Sequence, residues 1–322
     1  MPQMRMLGLI CAVLAALSGP AAAQDYPNRP VRIVVPFASG GSGDIFARVV
    51  GQHLTDSLKQ PFVIENRPGA GSIIGSDAVA KSPADGYTLL LISSAHATNE
   101  SLVPNKPFVL MRDLVAVAPI NYFDMALVTP PSLPANNVAE FIALARSKPG
   151  SLNFASSGPG TPYHMAGELF KAMTKTDIVH VPYKLASAAR TDVIGGQVQM
   201  MIDAVGTMQG NIEAKQVKAL ATTGKKRSAT FPDVPTLDES GVSGYEAVSW
   251  LGIMAPTGTP QPIVDKLNVE IGRLAARPDI KASWAKQSVE ASVMTAPEYD
   301  KFLRSEIDKW AEVVKVSGAK IE

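Results

Sequence analysis

The sequence predicts an α/β protein built as two lobes joined by a two-strand hinge. Three observations carry that expectation. β-branched apolar runs alternate with segments whose apolar residues fall at helical spacing, the pattern of repeated βαβ units with parallel strands and right-handed crossovers. Two long extended apolar runs interrupt this rhythm where a chain would pass between lobes. And 322 residues, 46% of them hydrophobic and 18% charged, suffice for about two domains that need no disulfide or metal to hold a core.

Residues 1–23 are set aside before the fold is read. Arg5 gives a positive start, Leu7 to Leu17 is uninterruptedly apolar, and Ala21-Ala22-Ala23 forms a small-residue cleavage site before Gln24. The segment reads as a secretory signal peptide cleaved after Ala23. Its apolar run of about 11 residues is short of the ~20 that span a bilayer. Cleavage removes the only cysteine, Cys11, so a mature chain in an oxidising periplasm has no thiol to pair.

Val31-Arg32-Ile33-Val34-Val35 then reads as a strand buried on both faces. Asp44 to Leu58 sets Ile45, Phe46, Val49, Val50, Leu54 and Leu58 at helical spacing. Phe62-Val63-Ile64 is a second strand, Arg67-Pro68-Gly69-Ala70-Gly71 turns into a helix near 72–81, and Tyr87 to Ile92 is a third strand. Val115 to Val128 is the first long extended run, stopped by Thr129-Pro130-Pro131. The rhythm resumes with helix 137–147, strand 152–155, helix 162–174, strand 178–181, helix 187–194 and strands 198–202 and 217–221. Ala247 to Ala255 is the second extended run, and helices near 261–276 and 297–315 close the chain, the last turning Phe302, Ile307, Trp310 and Val314 to a core. The runs divide the chain into a discontinuous first lobe, 25–124 plus 248–322, and a second lobe, 125–247. A two-strand hinge suits closure around a ligand. One continuous sheet with long strands is the simpler alternative.

Several function classes find no support. With 30 Lys+Arg against 29 Asp+Glu, no basic cluster and 6% aromatics, the chain has no footprint for nucleic acid. His53, His96, His164 and His180 are its only imidazoles, and none pair at HxxxH or HExxH spacing, so no zinc site is expected. No G-x-S-x-G elbow, Walker loop or dinucleotide fingerprint occurs. A Ser–His–Asp hydrolase remains a remote alternative, because triads assemble in space.

The chemistry concentrates in two similar loops. Phe37-Ala38-Ser39-Gly40-Gly41-Ser42-Gly43-Asp44 lies between a buried strand and a helix, where glycines let the backbone approach a ligand and the helix start offers unpaired N–H groups. Such a site beyond a strand's carboxyl end binds anions. Asp44 suits either a ligand's polar group or the helix terminus. Phe154-Ala155-Ser156-Ser157-Gly158-Pro159-Gly160-Thr161-Pro162-Tyr163-His164 repeats the design, with Thr161 as N-cap, Pro162 at the first helical position and His164 in the first turn. If both loops face one cleft, an anion meets two sets of N–H groups and the hydroxyls of Ser39, Ser42, Ser156, Ser157 and Thr161. Tyr183 ends a strand and can floor the cleft. Asp203 ends another, placed either to touch a ligand or to cap the next helix.

Tyr26-Pro27-Asn28-Arg29-Pro30, Ile33-Val34-Val35-Pro36-Phe37, Glu65-Asn66-Arg67-Pro68-Gly69-Ala70-Gly71 and Asp85-Gly86-Tyr87-Thr88-Leu89-Leu90 resemble the substrate-binding proteins of tripartite tricarboxylate transporters, the Bug family. His180-Val181-Pro182-Tyr183-Lys184, Pro232-Asp233-Val234-Pro235-Thr236 and Ala255-Pro256-Thr257-Gly258-Thr259-Pro260 extend the resemblance over essentially the whole mature chain. It implies a two-lobe type II periplasmic binding protein, or Venus flytrap, that holds a small carboxylate through loop backbone groups and bridging waters rather than an Arg clamp. It maps ligand-binding roles onto 36–44, 156–164 and Ser93 at the third strand's exit. It further implies a monomer without cofactor that serves inner-membrane transporter subunits; a receptor feeding a membrane sensor is the alternative partner. Ser39 stands where the family usually has Pro, Leu185 replaces the usual Gly, and 102–113 loses the familiar Tyr-Asp-Pro pattern, so the pocket's shape and its acid are left open.

Overall fold

A computed structural model describes residues 26–37, 39–183 and 185–318; the signal peptide expected at 1–23 and Lys184 lie outside the described residues. β1 (Val31–Val35) runs between β2 (Phe62–Asn66) and β3 (Thr88–Ser93) and is parallel to both. Its burial on both faces explains the near-continuous apolar run. α1 (Ser42–Leu58) crosses from β1 to β2 and packs its stripe of Phe46, Ala47, Val50 and Leu54 on one face. A 3-10 turn (Ala70–Ser72) leads into α2 (Ile73–Ala80) and so to β3.

A helix that the pattern did not suggest, α3 (Ser94–Leu102), follows β3 without a loop. It buries His96, Thr98 and Asn99 rather than an apolar stripe, which is why periodicity misses it. Ser93 caps it, accepting the Ala95 N–H at 3.3 Å while its own N–H donates to His96 Nδ1 at 3.0 Å. The short α4 (Leu110–Asp113) then opens into β4 (Leu114–Thr129), a strand of 16 residues.

β4 belongs to two sheets. Over Leu114–Asp124 it pairs with β9 (Val248–Pro256), and over Met125–Val128 with β7 (Met200–Ala204). The first sheet runs β2-β1-β3-β9-β4, and the second continues β4-β7-β5-β6. Here β5 (Leu152–Ser156) lies parallel to both β6 (Ile178–Pro182) and β7. α5 (Val138–Ser147) precedes β5, α6 (Pro162–Thr174) and α7 (Ala186–Ile194) make the crossovers, and α8 (Val205–Glu213) leads to β8 (Lys218–Thr222) on the edge of β4.

The expected parallel sheets are thus mixed. β9 returns from the second sheet and inserts between β3 and β4, antiparallel to both; β4 enters the second sheet from the first and runs antiparallel to β7 and β8. β7 also begins two residues later than expected. Val198 is buried but lies outside the ladder, so the shift draws Asp203 inside the strand, paired with Ala126.

α9 (Gln261–Ala276), α10 (Pro278–Ala285), β10 (Val289–Ala291) and α11 (Ala296–Ser317) complete the chain, with β10 antiparallel to β4 at Asn121–Phe123. α11 packs on α3, α6 and β4 together. Under it the largest core runs unbroken from Leu90 and Ile92 through Trp250 and Trp310 to Phe141 and Phe154. The indole N–H groups of Trp250 and Trp310 both donate to Glu306 Oε2, at 2.7 and 3.2 Å. Smaller cores line the opposite faces of the two sheets.

Candidate functional site

The carboxyl ends of β1 and β7 and the start of α6 converge on a cavity of about 490 Å3. Gly40, Gly41, Ser42, Ile45 and Phe46 form one wall; Tyr163, Ala186, Arg190, Ala204, Gly206 and Thr207 form the other. Phe123 of β4, with Gln287 and Val289, closes the base. Two walls from distant parts of the chain with one shared base make an interlobe cleft.

The first wall is the expected Gly-rich loop. Gly40 turns at φ +80°, a left-handed conformation in which a side chain is strained. Gly41 is the N-cap of α1 and supplies no side-chain cap, so the first N–H groups of that helix have no side-chain acceptor. Asp44 turns back onto its own loop. It is buried, accepts the Gly40 N–H at 2.9 Å and pairs with Arg48 at 2.9 Å. The Arg48 guanidinium, followed by the Gly40 N–H, holds its carboxyl below the ordinary carboxylate range. Asp44 therefore fixes the loop in shape. Ser39 and Ser42 are exposed, while Phe37 sits edge-on to the His96 ring at 5.9 Å. Ser93 spends its hydroxyl on the α3 cap.

The second wall carries charge that the sequence reading passed over. Arg190 Nε donates to Asp203 Oδ2 at 2.6 Å, and Asp203 Oδ1 accepts the Ala204 N–H at 2.8 Å. Asp203 is completely buried, and burial pushes its carboxyl above the usual range against the pull of Arg190. It makes no cap for α8, whose N-cap is Ala204. The Tyr163 hydroxyl, raised by burial and then by Asp203, stays protonated. So the cleft does contain a cation, on α7 and half neutralised by a buried acid.

The second Gly/Ser loop is bonded mostly to itself. Ser156 Oγ lies 2.6 Å from His180 Nε2 and accepts the Gly158 N–H at 3.1 Å. Thr161 Oγ1 donates to the Gly158 carbonyl at 2.7 Å and accepts the His164 N–H at 3.3 Å, making the expected N-cap. Gly160 N–H donates to His164 Nδ1 at 3.1 Å. The His164 and His180 rings stack 4.0 Å apart, and Phe154 stacks on His180 at 4.8 Å. Burial drives the two imidazoles down to about 3 and about 4, so both are neutral at neutral pH. Ser157 is half-buried beside this cluster. Tyr183 donates to Asp192 Oδ2 at 2.6 Å, and burial with that bond pushes its hydroxyl up to about 12.

The structure thus brings Gly40, Gly41 and Ser42 together with the helix that Thr161 caps, and sets Tyr163, rather than the 156–161 loop, on the cavity wall. Ser156 is completely buried, and no carboxylate among the described residues hydrogen-bonds His180, so this pair lacks the orienting acid of a hydrolytic triad. The residues missed, Tyr163, Arg190, Gly206, Thr207 and Gln287, carry no shared motif. The one available signal was the helix expected at 187–194, which contains Arg190; in the structure it starts at Ala186, so that Arg190 follows Ala186 by one turn on the same face.

Residues 46–319 match the family described as the tripartite tricarboxylate transporter family receptor. Protein BugT of Bordetella pertussis is 38% identical over 319 residues, covering 98% of each chain. Among solved structures, R. palustris Rpa4515 with adipate is similar at a TM-score of 0.83 and 34% identity, covering 92% of this chain and all of the other. MatC from Rhodopseudomonas palustris with bound malate is similar at a TM-score of 0.80 and 30% identity, covering 90% of this chain and all of the other. The mixed α/β architecture and the cleft agree with these two-lobe binding proteins. The chain belongs to the tripartite tricarboxylate transporter receptor family, the Bug proteins, whose members are periplasmic solute receptors and not enzymes.

Proposed function

We propose that this receptor captures a small carboxylate, with linear dicarboxylates as first candidates, and delivers it to a tripartite tricarboxylate-type membrane transporter. The observation that carries the reading is the opposition of the side-chain-uncapped start of α1 to Arg190 across a 490 Å3 cavity. The free N–H groups and dipole of α1 favour an anion. Arg190, already paired with Asp203, offers its remaining N–H donors to a second polar group. Adipate and malate, bound by the two structural relatives, are both dicarboxylates and fit an arrangement with donors at two ends.

Closure follows from the same arrangement: a ligand touching both walls favours the state in which they are close. The hinge falls at 124/125 and 247/248, dividing the chain into 25–124 plus 248–322 and 125–247. What supports this is β4 leaving β9 at Asp124 and joining β7 at Met125. We further propose that the leader expected at 1–23 exports the protein to the periplasm and that it acts there as a monomer; among the described residues no helix is long and apolar enough to cross a membrane.

Native mass spectrometry of the purified mature protein, before and after unfolding and refolding, tests the reading. An adduct of small-acid mass that refolding removes, then restored by one acid of a calorimetric panel including adipate and malate, is the expected result. A panel with no saturable binding, or consumption of an acid by the protein, would overturn it.

A further inference from the structure

The interlobe cleft offers no acid to a ligand. Among the described residues that line it, none is Asp or Glu. The two carboxylates that stand behind its walls are both spent. Asp44 is buried and holds the Gly40 N–H and the Arg48 guanidinium. Asp203, completely buried, accepts from Arg190 Nε through one oxygen and from the Ala204 N–H through the other.

What faces the cavity is positive on both walls. The start of α1, with no side-chain cap, presents its N–H groups and the positive end of its dipole on one. The partly exposed Arg190 guanidinium stands on the other. The remaining polar side chains, Ser42, Tyr163, Thr207 and Gln287, are neutral. An ammonium group enters a field of its own sign there and finds no counter-ion. Taking a cation out of water without an opposite charge costs far more than burying a neutral group.

The base joining these walls is largely apolar. Phe123 of β4 and Val289 of β10 are directly opposite in the antiparallel ladder, so their side chains stand together on the sheet face that lines the cavity. Phe46 lines it from α1, braced edge-on by the Trp284 ring of α10 at 5.2 Å. Ile45, one residue earlier, also lines the cavity and leaves half of its surface exposed. A methylene chain covers such surface favourably, whereas a hydroxyl laid on it gives up water without regaining a hydrogen bond.

We propose that the cleft selects dicarboxylates with an apolar spacer and no amino group, and so excludes amino acids. The inference rests on the carboxylate-capture reading above and narrows it: one carboxylate meets the start of α1, the other meets Arg190, and the methylene groups between them lie on Phe123 and Val289. An α-ammonium is fixed next to its own carboxylate, so the carboxylate carries it to whichever positive wall it meets. Specificity here is repulsion of the wrong acid as much as attraction of the right one.

The probes are two matched sets that differ only in one substituent: adipate, 2-hydroxyadipate and 2-aminoadipate, and succinate, malate and aspartate. Each is titrated calorimetrically into the mature protein. On whichever skeleton binds, the unsubstituted acid should be tightest, the hydroxy acid weaker, and the amino acid weaker by about tenfold or more. Ile45→Glu sets a carboxylate in the first turn of α1, at an exposed position that a helix start accepts. It should narrow the preference for the unsubstituted over the amino acid by about fivefold or more. If an amino acid comes within tenfold of its parent, or a hydroxy acid equals it, carboxylate capture stands and this inference alone falls. It falls as well if Ile45→Glu folds and leaves the preference unchanged; should that variant not fold, the matched sets decide alone. Saturable binding by none of the six acids would overturn the capture reading and this inference with it.

Discussion

His164 is buried and His180 half-buried, the two rings stack, and both are neutral: desolvation opposes charging either one, with Lys171 close by, and His164 also meets the His180 ring. His96 is a third such imidazole, lowered to about 4 by burial. An unfolded chain protonates its histidines near 6.5. Between that pH and the folded values the unfolded state binds more protons, so stability falls as pH falls, by up to about 1.4 kcal/mol per pH unit for each group. Asp124 acts with the opposite sign, since its raised carboxyl loses stability as pH rises toward about 6. Asp203, also raised by burial, acts on the same side as Asp124, and three histidines against these two aspartates leave a net acid-side loss. Urea titrations at pH 7 and pH 5 should show the wild type weaker at the lower pH, and His180→Phe should flatten that difference. In the cleft, Ser42→Ala should weaken carboxylate binding by about 0.5–1.5 kcal/mol by calorimetry if its hydroxyl meets the ligand. The residue types in both loops were readable because Gly, Ser and Thr between strand and helix have few other uses. Their bonding was not: nothing local says that Ser156 turns to His180, a residue of the neighbouring strand, or that Asp44 closes on Gly40.

Elements were legible in proportion to their apolar pattern. α1, α9 and α11, with long stripes, fall where periodicity puts them, and β4 and β9 stand where the two extended runs were read. α8 buries only Val205 and Met208, too little to leave a period, and α10 only Trp284. Caps make firmer predictions than stripes. Thr161→Ala removes the α6 cap and should cost about 1 kcal/mol of unfolding free energy in urea titration. α8 also touches the cleft base at one unforgiving point, where a Cβ on Gly206 would come 2.1 Å from the Gln287 carbonyl oxygen. Gly206→Ala should part those backbones, lower carboxylate affinity and raise the radius of gyration in small-angle scattering.

For the whole molecule, the cleft draws on residues near 40, 123, 163, 190, 206 and 287, a set that only the folded chain assembles. That is why a two-lobe fold could be read from two extended runs while Arg190 could not be assigned to the cavity. If the walls close on the ligand, adding it should compact the protein in solution scattering; an unchanged profile at saturation would count against a moving hinge. The place of β9 between β3 and β4 also sets an order of assembly. The second sheet's parallel strands are contiguous in sequence and can associate early. The first sheet keeps the inner edge of β3 bare until Val248–Pro256 has been made and a long intervening loop has closed. The part of the chain that leaves the ribosome first thus cannot complete its sheet until a strand from the chain's last third arrives to fill it.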